Sequence, residues 1–161
     1  MAKLLARELS GDLYARLSGA ALDSLEDKAV VLVTVDADGW PHPAMLSYFE
    51  IAAPDRANVR LAIHAGSRTT ANLRDRRKAT LILIDRRLVC YIKGDAEQLA
   101  PAMRTAAHNA KVNVRIEQVL TDAPDPRLEP GAYVSDGVRY VSGRTAEALQ
   151  QARAVVSELL E

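Results

Sequence analysis

The sequence predicts a mainly β domain, an antiparallel barrel of six strands with helices at its flanks. Three observations lead there. Six apolar runs rich in Val, Ile and Leu follow one another between residues 28 and 122. The hydrophobic period changes from helical to strand-like near residue 28. The connections between runs are short, whereas parallel pairs would require long crossovers. At 161 residues the chain fits one domain. It divides into a helical lead-in (1–27), a barrel core (28–122) and a closing loop, short strand and helix (123–161).

In order, Leu4, Leu5, Leu9, Leu13, Tyr14 and Leu17 recur at helical spacing, with Gly11 as a break, and predict one or two short helices. Residues 28–36 and 42–51 form a hairpin around the turn "DADG". A third strand covers 59–64. Residues 67–76 read as a short helix with Ser67 as its N-cap. Strands at 79–85 and 88–99 meet at the charged turn "DRR". The segment 100–110, opening with Pro101, is expected to be helical, and 111–122 supplies the sixth strand. A rigid "APDPRLEPG" loop, a brief strand at 138–141 and a helix over 145–160 complete the chain.

Composition excludes several functions. Lys plus Arg and Asp plus Glu are 21 each, so the basic excess expected of a nucleic-acid binder is missing. No apolar run approaches the roughly 20 residues that span a bilayer, and Arg7, Glu8 and Asp12 interrupt the first segment, so no membrane role is expected. A single cysteine, Cys90, excludes an internal disulfide; it lies in an apolar strand and reads as a buried, inert thiol. His42, His64 and His108 lack ligand-like spacing, so no metal site is expected, and cytoplasmic residence is the simplest expectation. The sequence lacks GxSxG, GxGxxG and P-loop motifs.

The stretch "HAGSRTTANL" carries the chemistry. Ser67, Thr69 and Thr70 offer hydroxyls, Arg68 a planar charged fork, and the helix start its free N–H groups, a donor set suited to phosphate. Gly66 would let a ligand approach the backbone. The same residues also describe an ordinary capped surface helix, with Asn72 as a surface polar group, and locally both readings stand.

The order of "PHPAMLSYFEI", a third strand, "GSRTTANL", "RKATLILID" and "LVCYIKGDAEQL" resembles the pyridoxamine 5′-phosphate oxidase-like family of FMN-binding split barrels. The resemblance is close over 28–99 and looser over 111–122. Gly66, Ser67, Arg68, Asn72 and Leu73 match its phosphate loop, while Thr69 stands where the family often has lysine. It implies an FMN site formed by Met45, Leu46 and Ser47 on the second strand, Ala62, Ile63 and His64 on the third, and Ser67, Arg68, Thr69, Thr70 and Asn72 in the loop. Met45 and Glu50 occupy places where several members have arginine and lysine, so the chain does not resemble the vitamin-processing oxidase itself. The resemblance further implies a homodimer with flavin sites at the subunit interface, and a flavin-dependent oxidoreductase acting on an unknown small molecule, with NAD(P)H as a candidate donor. The alternatives it leaves are a non-catalytic or stress-related flavin binder, and a relative that uses a deazaflavin or haem.

Overall fold

The computed structural model describes residues 2–161, the side chain of Leu5 excepted. Its strands are β1 (Lys3–Ala6), β2 (Ala29–Val35), β3 (Pro41–Ser47), β4 (Ile51–Ala52), β5 (Asn58–His64), β6 (Lys78–Asp85), β7 (Leu88–Ala100) and β8 (Asn109–Thr121). Its α-helices are α1 (Gly11–Leu17), α2 (Arg68–Arg76) and α3 (Ala146–Leu160). The strands form one sheet in the order β3-β2-β6-β7-β8-β5-β4, with β1 added beside β8 and every pairing antiparallel.

The sheet curls into a half-barrel because alternate residues of each strand are apolar and must be covered. In β6 the buried set is Ala79, Leu81, Leu83 and Asp85, and in β5 it is dominated by Val59, Leu61 and Ile63. These meet Val30, Leu32, Ile92, Val112 and Val114 in one core. Helix α2 closes one end, where its buried Leu73 enters the core and Asn72 Nδ2 donates to Thr34 Oγ1 at 3.0 Å. Its Ser67 cap is the one the sequence predicts, and Arg77 in the left-handed region ends it.

Four expectations are corrected. Residues 3–6 are a strand, not part of a helical lead-in. β5 covers β8 only over residues 109–115, and β1 pairs with the stretch 119–121 beyond it. The strand expected over 42–51 stops at Ser47. There the Glu50 carboxylate accepts from the Ser47 N–H (2.7 Å) and hydroxyl (2.9 Å), which starts a 3₁₀ turn over Tyr48–Glu50 and carries the chain to the opposite edge as β4. Residues 101–108 form a loop rather than a helix, with Met103 and Ala106 pointing into the core. The strand expected at 138–141 is a single bridge, Arg139 to Lys28. The sheet therefore has eight strands instead of six.

Candidate functional site

The stretch between β5 and α2 is built by its own hydrogen bonds. Ser67 N–H and the Thr70 hydroxyl both donate to the His64 carbonyl, each at 2.9 Å. Thr70 N–H donates to Ser67 Oγ at 3.1 Å, and Ala71 N–H to the Ser67 carbonyl. Ala65 N–H donates to the His108 carbonyl at 2.8 Å, which ties the arc to the loop before β8. Among the described residues, nothing accepts from the N–H groups of Arg68 and Thr69. Two free donors at the positive end of a helix, with an exposed guanidinium beside them, make a site that favours an anion.

The structure divides the predicted loop residues into two groups. Arg68 is exposed and Ser67 half-buried, its Oγ accepting from Thr70 N–H and donating to Thr70 Oγ1 at 3.3 Å. Thr69, Thr70 and Asn72 are buried. Thr70 spends its hydroxyl on His64 and Asn72 its amide on Thr34, so these two side chains hold the helix in place. Thr69 offers the mouth its N–H rather than a side chain. Gly66 has no left-handed φ, and an added Cβ would meet only the His64 ring at 3.5 Å, so the fold itself does not demand glycine there. The exposed imidazoles of His64 and His108 stand at the same mouth with ring centroids 6.3 Å apart.

The remaining predicted residues lie on the two edges of the curled sheet. β3 pairs only with β2, and β5 has β4 beside it only at residues 60 and 61, so 62–64 have no strand on that side. Met45 is 50% exposed and His64 is exposed, whereas the side chains of Leu46, Ala62 and Ile63 are buried and leave only main chain for a ligand. Ser47 is fully engaged: its hydroxyl donates to Glu50 and accepts from Arg144 Nη2 at 3.2 Å. Sequence reasoning missed Arg144. Its guanidinium lies 5.0 Å over the Phe49 ring, just before α3, and no local motif announces a residue that arrives from so far along the chain.

A second polar cluster sits at the other end of the barrel. The buried Asp85 carboxylate accepts from Lys28 Nζ (2.6 Å to each oxygen), Arg16 Nη2 (2.5 Å) and Arg86 N–H. Arg16 Nε also donates to the Tyr48 hydroxyl at 2.8 Å. Burial alone would raise the Asp85 carboxyl, but the two cations and the N–H override it and bring the pKa down to about 2. Burial pushes the Tyr48 phenol up. This cluster joins α1, the residue before β2, the end of β6 and the 3₁₀ turn, and its groups are satisfied by one another, which marks it as structural. Burial likewise pushes the Cys90 thiol up to about 11, as expected of an inert core cysteine. Among the described residues no group of three or more His, Cys, Asp and Glu is arranged to hold a metal ion, and no helix is long and apolar enough to cross a membrane.

An antiparallel half-barrel with two open edges and flanking helices is the fold of the FMN-binding type of split barrel. Residues 20–132 match the family model described as pyridoxamine 5′-phosphate oxidase, and the chain belongs to that family. It is 29% identical to the uncharacterized protein YclD of Bacillus subtilis (strain 168) over 151 residues, 94% of this chain and 95% of that protein. Among solved structures it is similar to an FMN-binding protein from Syntrophomonas wolfei (TM-score 0.52, 14% identity, 68% of this chain and 88% of that one). It is also similar to an F420 reductase (TM-score 0.51, 17% identity, 69% and 97%). At these identities the two structures share the fold with this chain.

Proposed function

We propose that the chain binds FMN across the open edges of the barrel, with the phosphate on the start of α2, and acts as a flavin-dependent oxidoreductase on a small molecule. One observation carries the reading: the N–H groups of Arg68 and Thr69 are unpartnered among the described residues at the start of a helix whose first residue, Arg68, is an exposed cation. Ser67 Oγ adds a hydroxyl, and the main chain of Met45–Ser47 and Ala62–His64 would flank the ring. A bound flavin supplies the redox chemistry. The chain's own part is to hold the phosphate and orient the ring by main-chain groups, with Met45 as the exposed apolar side chain beside it. A deazaflavin or haem competes for the same opening. The absorption spectrum of the purified protein separates the three, and NAD(P)H oxidation then separates an enzyme from a binder.

Replacing Arg68 with alanine should weaken FMN binding by roughly 1.5–3 kcal/mol, about 10- to 150-fold, as expected for a charge-assisted hydrogen bond. Because Arg68 is exposed, thermal stability should stay within about 0.5 kcal/mol of wild type. Equal affinity by fluorescence titration would remove Arg68 from the site.

The proposal includes a homodimer. The free edge of β3, the 50% exposed Met45 and the 70% exposed Trp40 form a surface that a second copy would cover, with both chains bordering each flavin. Light scattering across a dilution series should show a dimer that added FMN stabilises by mass action. A monomer at micromolar concentration that still binds one flavin per chain would refute the shared site.

A further inference from the structure

The phosphate arc is closed by its own hydrogen bonds, and one of its peptide units is also anchored from outside, just past the His64–Asn109 rung of the β5–β8 ladder. Ala65 N–H reaches the His108 carbonyl, at the far end of the loop between β7 and β8. That loop would be a weak anchor by itself. Its internal backbone bonds are Met103 N–H to the Asn109 carbonyl and Asn109 N–H to the Ala106 carbonyl, both 2.8 Å. What holds it down is the last turn of α3. The Glu158 carboxylate accepts from Arg104 N–H (2.9 Å), Thr105 N–H (2.8 Å) and the Thr105 hydroxyl (2.6 Å). Gln151 donates to the Thr105 carbonyl, and Arg104 pairs with Glu161. The end of α3 is in turn fixed to the barrel wall, where Lys111 Nζ donates to the Glu158 carbonyl (2.6 Å) and Arg60 Nη1 to the Leu159 carbonyl (2.8 Å).

From this chain of contacts we infer that Glu158 is a positioning residue for the anion cradle: it fixes the loop 101–108, and through His108 that loop fixes the arc at Ala65–Gly66. Glu158 touches no ligand. The inference rests on the α2 start being the phosphate site. Three properties suit the carboxylate to the task. It is buried, with its side chain 8% exposed, so each bond it makes acts in a medium of low dielectric. It gathers three donors from two successive residues, which locks both position and direction. And burial would raise its carboxyl, but the Thr105 hydroxyl and the two N–H groups override this and hold it low, so it stays an ionised acceptor at neutral pH. A glutamine would turn an NH₂ toward at least one of these donors and leave a partly buried N–H without that partner.

The test compares FMN with riboflavin, which lacks only the phosphate. Glu158→Gln should weaken FMN binding about 3- to 30-fold, the usual range for coupling through packed contacts, and leave riboflavin affinity within about two-fold. Thr105→Val, which removes only the 2.6 Å bond, should move FMN affinity in the same direction by less and guards against a Glu158 variant that fails to fold. Equal losses for both ligands, or none, would overturn the inference, since loosening the whole domain does not single out the phosphate. If the wild-type protein binds FMN no better than riboflavin, the phosphate reading itself fails. Amide hydrogen exchange on the free protein then decides the brace alone. Faster exchange at Ala65 in the variant, with core strands unchanged, supports it; unchanged exchange there refutes it.

Discussion

Replacing Asp85 with asparagine should destabilise the protein by about 3 kcal/mol, at the lower end of the roughly 3–5 kcal/mol for breaking a buried ion pair. The variant leaves Arg16 and Lys28 facing one another with no anion between them, and the asparagine NH₂ replaces an acceptor with a donor. The lower end applies because both cations keep about a fifth of their side chains exposed, 20% and 21%, and can regain some water. The pH dependence has a definite sign. The Asp85 carboxyl titrates near 2 in the folded chain and near 3.9 when unfolded, so its stabilisation is complete above about pH 4 and fades as the pH falls toward 2. Linkage sets the loss at about 2–3 kcal/mol. Denaturant unfolding at pH 7 and pH 3 should therefore show wild type weakening more than Asp85→Asn. Parallel weakening, or a variant within 1 kcal/mol of wild type at pH 7, would show that the cluster does not hold the barrel end.

Gly94→Ala should cost about 3 kcal/mol or more and lower the melting temperature by about 6–12 °C. Gly94 sits where the β7–β8 register shifts, and an added Cβ would lie 2.2 Å from the Arg115 carbonyl oxygen and 2.8 Å from Val114 Cγ1. The first obstacle is backbone, so relief requires the two longest strands to part. Gly11→Ala is the control. Nothing lies within 4 Å of its Cβ position and α1 begins there, so it should be neutral or slightly stabilising. Calorimetry on both variants checks the contrast. Similar melting temperatures would mean that β7 and β8 are not packed this closely.

Much of the barrel was legible because its elements are decided locally. β2, β5, β6 and β8 alternate or run apolar between turn residues, and α2 announces itself through Ser67. The misses have distant causes. Met103 and Ala106 sit at helical spacing, but they plug the core from a loop whose donors are met by Glu158, 53 and 54 residues away. Leu4 joins a leucine pattern of helical period, but the uncovered end of β8 recruits its backbone into a strand. The inward turn of Thr69 and Thr70 was readable. They precede Leu73 by four and three residues, which places all three on one helical face, and Leu73 faces the core. Arg144 left no such signal, since only the folded chain brings it to Ser47.

The support of β8 by three strands sets up a gradient of local stability across the barrel. β7 lines one side of it along nearly its whole length, while β5 and then β1 line the other, so it can open only if much of the sheet opens with it. β3 and β4 are its opposite, each held by a single neighbour and β4 only two residues long. Those are the two outer edges of the sheet, which the proposed flavin site borders. Opening of these edges can thus proceed as sub-global unfolding of the periphery, leaving the β7–β8 ribbon as a fixed frame onto which the edges close again.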